Sequence, residues 1–110
     1  MTDDESLMDK KAVLEHVKQY AAVVVREFPV SQVILFGSYV TGQAHEDSDI
    51  DVAIIVREIP SDYLDFLTRL YTLTTPIDPM IEPHAMLEDG NNGGFLQEVL
   101  RTGEVIYRAA

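Results

Sequence analysis

Two aspartates two positions apart, Asp49 and Asp51, are the residues in this sequence best suited to chemistry. In a β-strand, residues two apart project to the same face and lie roughly 6.6 Å apart, so these carboxylates would point the same way. Paired carboxylates on an apolar strand repel each other unless a positive charge lies between them. Hard divalent cations meet that need, and two ions roughly 3.5–4 Å apart are an arrangement that supports phosphoryl transfer.

A glycine and a serine, Gly37 and Ser38, end an apolar segment, and ten residues separate them from Asp49. A strand that ends in Gly-Ser before a helical turn presents backbone N–H groups and a hydroxyl to an anion. Gly37 permits close backbone approach, and Ser38 can donate a hydrogen bond to a phosphate oxygen. If the two strands are neighbours, this phosphate site faces the carboxylates, which is the layout for a nucleoside triphosphate with its metal ions.

Two alternatives compete with the metal interpretation. Asp47, Asp49 and Asp51 match the first half of an EF-hand loop. Glu58 falls at the twelfth position of that loop, but Val52 occupies the sixth, where the loop needs glycine. The second alternative is a solvated strand end, because an Asp-x-Asp pair taken alone is a weak signal.

Length and composition restrict the class of protein. The 110 residues predict a single domain over residues 1–110, and the absence of cysteine excludes disulfides, thiolate zinc sites and cysteine nucleophiles. A formal charge of −11 disfavours direct nucleic-acid binding and suits a basic protein partner or bound divalent cations. Apolar runs are far too short for a membrane span, and no signal peptide is visible. We therefore expect a cytoplasmic protein.

The helices are predicted from apolar residues three and four apart. The first helix begins at an N-cap on Ser6 and ends before Pro29. A second helix is capped by Ser61. A last helix covers residues 95–100, with Gly103 as its C′ residue.

The strands are predicted from short β-rich runs at 33–36 and 50–56, separated by a loop with a short helix after Ser38. Residues 80–86 contain a proline and follow another, which suits an edge or bulged strand. Residues 105–107 add a short closing strand. The order of elements predicts a mixed α/β (α+β) fold.

The combined motif resembles a known family. The motif consists of Gly37-Ser38 and Ser48-Asp49-Ile50-Asp51, at the junction between two apolar strands. This pattern resembles the polymerase β-like nucleotidyltransferase superfamily, and the chain is similar over residues 12–107 to its minimal nucleotidyltransferases (MNT). The resemblance implies a small mixed β-sheet flanked by helices and transfer of a nucleoside monophosphate, such as AMP from ATP, to a hydroxyl with two Mg²⁺ ions. It also implies that Gly37, Ser38 and Ser48 bind the nucleotide and that Asp49 and Asp51 bind the metals.

The resemblance implies a third carboxylate on a neighbouring strand that binds metal and helps to deprotonate the acceptor. Glu82 is the candidate, and Asp78 is the alternative because Pro79 leaves the start of that strand uncertain. His84 shares the face of Glu82 if the strand is regular, but we favour a structural or solvated role for it.

The sequence departs from the family pattern in two ways. The family often carries arginine just after Gly-Ser, whereas this chain has Tyr39-Val40-Thr41-Gly42. His45 is the only side chain of the same loop that could carry a positive charge, and we interpret it as a solvated surface residue. The third carboxylate is glutamate where aspartate is usual.

The chain is too short for the extra helical domain with which larger relatives hold an acceptor. It resembles the antitoxins of HEPN/MNT toxin–antitoxin pairs, which implies transfer of AMP to a tyrosine hydroxyl of a helical HEPN toxin and an oligomer with that partner. Two alternatives remain open: an inactive module that neutralises its partner by occlusion, and a subunit of a small-molecule (aminoglycoside-type) nucleotidyltransferase.

Overall fold

The computed structural model describes residues 2–44, 48–90 and 93–109 of the chain. Helices and strands alternate along the described residues in the following order: α1 (Thr2–Glu27), β1 (Val30–Phe36), α2 (Ser38–Thr41), β2 (Ile50–Val56), α3 (Tyr63–Thr72), β3 (Ile81–Leu87), α4 (Phe95–Thr102) and β4 (Glu104–Arg108). The strands form one sheet in the order β3-β2-β1-β4. β1 is antiparallel to β2 and β4, and β2 is parallel to β3, which confirms the predicted mixed α/β class. Within the described ranges, no helix is both long and apolar enough to cross a membrane.

The sheet is packed on both faces because alternate residues of each strand point to opposite sides. On one face, Val52, Ile54 and Val56 of β2 belong to the core formed with α1 and α3. On the other face, Ala53 and Ile55 pack with Leu96 and Val99 of α4. Asp51 has the parity of Ala53 and Ile55, so its side chain lies on the side of α4.

The structure corrects two predicted helix caps. α1 begins at Thr2, so Ser6 lies inside the helix and is not its N-cap. α3 is capped by Asp62, whose side chain accepts a hydrogen bond from the N–H of Asp65 at 3.0 Å, and not by the adjacent Ser61. Both Ser61 and Asp62 are good capping residues, so the sequence pattern alone does not decide between them.

All four predicted strands are present, with shifted bounds for three of them: β1 begins earlier, β3 is displaced by one residue, and β4 is longer by one residue at each end. β2 has the predicted bounds, β3 is an edge strand as expected, and β4 closes the other edge. β1 begins at Val30, three residues earlier than predicted, because Ser31 interrupts the apolar pattern but is buried within the strand. Its hydroxyl donates to the Ile55 carbonyl at 3.0 Å, which satisfies the buried polar group.

Gly103 follows the last residue of α4, at the end of the helix as predicted, and close packing rather than a left-handed backbone requires glycine there. Its φ is −79°, and its N–H donates to the Val99 carbonyl at 2.8 Å. A Cβ at this position would overlap the side chain of Ile34 and the Val99 carbonyl. The missing side chain therefore lets the end of α4 pack against β1.

We expect Gly103→Ala to reduce the free energy of unfolding by about 3 kcal/mol, the upper end of overpacking costs, because the added methyl meets both a side chain and a backbone carbonyl. Urea denaturation measures the loss. Gly94→Ala is the control: a Cβ there has open space, although φ is +85°, so only backbone strain of about 1 kcal/mol is expected. Equal losses in the two variants would contradict the packing explanation.

Candidate active site

The strand register brings the predicted carboxylates together at one end of the sheet. In the parallel pair, Asp51 of β2 lies opposite Glu82 of β3. In the antiparallel pair, Phe36 at the end of β1 lies opposite Asp51. All three residues lie on the α4 side of the sheet, so the core formed with α1 and α3 supports the site from behind.

His84 lies within the same cluster. Its Nε2 is 3.1 Å from Asp51 Oδ1 and 3.4 Å from Glu82 Oε1. One ligand atom from each of the three residues lies within 4.8 Å of the other two. A structural or solvated role is the sequence-based prediction for His84, whereas the structure places its nitrogen directly at the carboxylates. In the sequence, the two-residue spacing between Glu82 and His84 in a regular strand indicates that both side chains point to the same face.

Asp49 completes the cluster from the segment just before β2. It is exposed and shares a hydrogen bond with Glu82, which raises the pKa of the Glu82 carboxyl above its ordinary value. Burial and the negative charges of Asp49 and Asp51 also raise this pKa, while His84 opposes the shift. The pKa rises because each neighbouring negative charge disfavours the ionised form of the Glu82 carboxyl.

Gly37 brings the turn before α2 against this cluster. Its φ is +81°, a conformation that favours glycine. A Cβ on Gly37 would lie 2.5 Å from Asp51 Oδ2, so any other residue would displace that carboxylate. The Gly37 carbonyl accepts hydrogen bonds from the N–H groups of Val40 and Thr41. The structure therefore brings the predicted phosphate-binding turn, with Ser38 at the start of α2, next to the carboxylates.

Of the two candidates for the third carboxylate, Glu82 lies in the cluster. Asp78 is engaged elsewhere: its Oδ2 is 2.8 Å from Nδ1 of His16 on α1, and its Oδ1 accepts a hydrogen bond from the N–H of Met80. Asp78 therefore ties α1 to the start of β3, and we retain Glu82 as the candidate.

The remaining sequence predictions concern the loop before β2. Ser48 is half-buried immediately before Asp49, and its role in nucleotide binding stays a prediction. His45 and Asp47 lie outside the described residues. The EF-hand alternative is wrong, because most of the segment that would form the calcium loop is the extended strand β2.

Aromatic side chains border the cluster on the α4 side, a feature that the sequence analysis missed. The ring of Phe36 lies edge-on to His84 at 5.1 Å and to Phe95 at 5.5 Å between centroids. Phe95 opens α4 and remains 44% exposed. The side-chain parity of β1 could have placed Phe36 on this face, but nothing local in the sequence brings Phe95 to it.

The chemistry of these side chains fits a divalent cation. Carboxylate oxygens are the preferred ligands of Mg²⁺, and Asp49, Asp51 and Glu82 present several of them within a short distance. The absence of a Cβ on Gly37 preserves the space around Asp51. The carboxylates of the cluster could therefore hold a divalent cation.

The family of the chain follows from comparison with known proteins. Residues 18–110 match the family described as polymerase beta nucleotidyltransferases. The match covers most of the chain, which therefore belongs to this family of transferases. The resemblance inferred from the Gly-Ser and Asp-x-Asp motifs is confirmed.

Two archaeal relatives are similar to the chain over most of their length. One, MJ0604 of Methanocaldococcus jannaschii, is named provisionally as a protein adenylyltransferase; it is 35% identical over 80 residues, which are 71% of this chain and 79% of the relative. The other is the protein adenylyltransferase MntA of Thermococcus cleftensis, also 35% identical over 80 residues, 73% of this chain and 76% of the relative.

A solved structure supports the fold. The crystal structure of a toxin–antitoxin with AMP-PNP contains a chain that superposes with a TM-score of 0.59 at 18% sequence identity. The superposition covers 84% of this chain and 73% of that chain.

We expect Glu82→Gln to stabilise the metal-free protein at neutral pH, because it removes one of the crowded negative charges. The raised pKa of Glu82 in the folded state means that its contribution to stability is greatest below its ordinary value of 4.5 and is lost as pH rises through the folded pKa. The free energy of unfolding of the parent minus that of the variant should therefore fall as pH rises from about 4, then level off.

Urea denaturation in EDTA across this pH range measures the difference. Glu58→Gln, which removes an exposed charge just beyond β2, is the control for a change of net charge. A Glu82→Gln variant less stable than the parent at neutral pH would contradict the crowding of negative charge.

Proposed function

We propose that this chain is a protein adenylyltransferase that transfers AMP from ATP to a hydroxyl of a partner protein and thereby silences a toxin. The observation that carries the proposal is the carboxylate cluster of Asp49, Asp51 and Glu82 beside the turn at Gly37. A phosphate site next to a cation site is what a metal–triphosphate complex requires. The names of the two relatives support the transfer of an adenylyl group to protein.

In this proposal Asp49, Asp51 and Glu82 hold two Mg²⁺ ions. Gly37, Ser38 and Ser48 bind the triphosphate, with the backbone at Gly37 close to Asp51. Mg²⁺ held by these residues would neutralise the charge that develops on the phosphate oxygens. The solved toxin–antitoxin with AMP-PNP supports ATP as the nucleotide.

The proposed reaction exchanges one bond to phosphorus for another. The acceptor hydroxyl oxygen forms a bond to the α-phosphorus of ATP, the bond to the β-phosphate oxygen breaks, and pyrophosphate leaves. The hydroxyl proton passes to the carboxylate of Glu82. A carboxylate within hydrogen-bond reach of the hydroxyl can accept this proton as a general base.

The site lies at one end of the sheet, and within the described residues no second domain covers it, which leaves it open to an acceptor from another molecule. We propose a helical HEPN-type toxin that presents a tyrosine hydroxyl. A formal charge of −11 favours association with a basic, RNA-cutting protein. The structural likeness to a toxin–antitoxin supports a toxin as the partner.

Ser38→Ala should weaken ATP binding at least tenfold, because a hydrogen bond to a charged group contributes about 1.5–3 kcal/mol. Isothermal titration calorimetry with Mg²⁺ and a non-hydrolysable ATP analogue measures the change. Thr41→Ala, a hydroxyl deletion at the far end of α2, is the matched control and should bind normally. Unchanged ATP affinity in Ser38→Ala would show that the Ser38 hydroxyl does not bind the triphosphate and that the Gly-Ser turn has only a structural role.

Glu82→Gln and Asp51→Asn should abolish AMP transfer while complex formation with the toxin persists, because both keep the shape of the side chain and remove its charge. Intact-mass spectrometry of the toxin incubated with the protein, ATP and Mg²⁺ detects the added nucleotide. Asp78→Asn is the control and should retain transfer, since an amide oxygen still accepts the hydrogen bond from Met80.

The outcome also separates the alternatives. If the toxin is neutralised but gains no mass with any nucleotide tested, the proposed AMP transfer is wrong and the protein acts by occluding its partner. Transfer to an aminoglycoside but not to protein would identify a small-molecule nucleotidyltransferase. Transfer that survives in Glu82→Gln but is lost in Asp78→Asn would move the third carboxylate to Asp78.

A further inference from the structure

His84 differs chemically from the other members of the cluster. Asp49, Asp51 and Glu82 offer oxygen, whereas His84 offers an imidazole nitrogen directed at the same point. Its Nε2 is the atom that lies 3.1 Å from Asp51 Oδ1 and 3.4 Å from Glu82 Oε1. One ring atom therefore contacts both carboxylates.

These separations match the ligand spacing of an octahedral ion. Adjacent ligands of an ion with bonds of about 2.1 Å lie about 3.0 Å apart. The distances of 3.1 and 3.4 Å from the nitrogen to the two oxygens are close to this spacing. The ligand atoms of Asp51, Glu82 and His84 lie within 4.8 Å of one another, so the three residues can hold one ion after side-chain movements that bring the two carboxylates closer.

The aromatic residues hold the imidazole in this orientation. The rings of Phe36 and Phe95 lie edge-on to His84, at centroid distances of 5.1 and 6.4 Å. The His84 side chain is 29% exposed, so its position is set by these neighbours while one edge remains open to solvent. A side chain fixed by packing loses little rotamer freedom when it binds an ion.

We propose that Nε2 of His84 binds directly to the cation at one of the two metal positions. This position consequently prefers Mn²⁺ and later first-row transition-metal ions to Mg²⁺. Mg²⁺ favours oxygen ligands, whereas first-row transition metals accept imidazole readily. The inference rests on the proposed function only in assigning the cluster to the cations of nucleotidyl transfer. The other position, without a nitrogen ligand, keeps the oxygen chemistry that suits Mg²⁺.

The test detects nitrogen bound to Mn²⁺. Electron spin echo envelope modulation is recorded on the full chain with Mn²⁺ and inorganic triphosphate, a probe that mimics the nucleotide but contains no nitrogen of its own. A coordinated imidazole gives a strong ¹⁴N modulation. His84→Asn removes the imidazole and keeps a polar side chain, and His16→Asn is the matched control because His16 pairs with Asp78 away from the cluster.

The proposal predicts imidazole ¹⁴N modulation in the parent and in His16→Asn, and its loss in His84→Asn. Parent protein labelled with ¹⁵N-histidine provides a second arm without mutation, in which the modulation shifts to the ¹⁵N frequency. His84→Asn should also weaken Mn²⁺ binding about tenfold, while Mg²⁺ binding, measured by competition, changes less.

Bound Mn²⁺ without imidazole modulation in the parent would overturn the proposal and leave His84 a positioning residue for Asp51. Modulation that persists in His84→Asn would overturn it as well, and so would a parent that binds no Mn²⁺. Because the measurement needs neither ATP nor a toxin, it is independent of AMP transfer. A protein that shows the modulation but transfers no AMP would retain the ligand assignment and lose the proposed function.

Discussion

The crowding of negative charge at one end of a parallel strand pair is the constraint around which the rest of this structure is arranged. Asp51 and Glu82 are fixed opposite each other by the register of β2 and β3, and Asp49 reaches Glu82 from the adjoining segment. The hydrogen bond between Asp49 and Glu82 and the contacts of His84 only partly offset the repulsion. A fold that holds carboxylates this close stores unfavourable electrostatic energy until a cation binds.

The apolar layers counteract that repulsion. The even-numbered residues of β2 lie in the core with α1 and α3, and the strand is thereby fixed from behind. On the opposite face, α4 packs against β1 through the space left by Gly103 and brings Phe95 towards His84. One strand therefore serves both the core and the site, because the two sets of side chains point to opposite faces.

The sequence predicts the parts of the site that depend on local pattern. Asp49 and Asp51 at the start of an apolar run, and Gly37 with Ser38 at the end of another, need only side-chain chemistry and strand periodicity to be recognised. The position of His84 also depends on the pairing of β3 with β2, which joins residues more than thirty positions apart. Local rules place Gly103 at the end of the last helix, whereas its close contact with Ile34 arises only in the folded chain.

If this carboxylate cluster is the cation site of a nucleotidyltransferase, manganese will bind at it, and anomalous diffraction locates bound manganese. Crystals grown with Mn²⁺ and a non-hydrolysable ATP analogue would be measured at the manganese absorption edge. We expect anomalous peaks within coordination distance of the carboxylates of Asp51 and Glu82, with the triphosphate against Gly37 and Ser38. An ordered analogue whose manganese peaks lie away from these carboxylates would contradict this assignment.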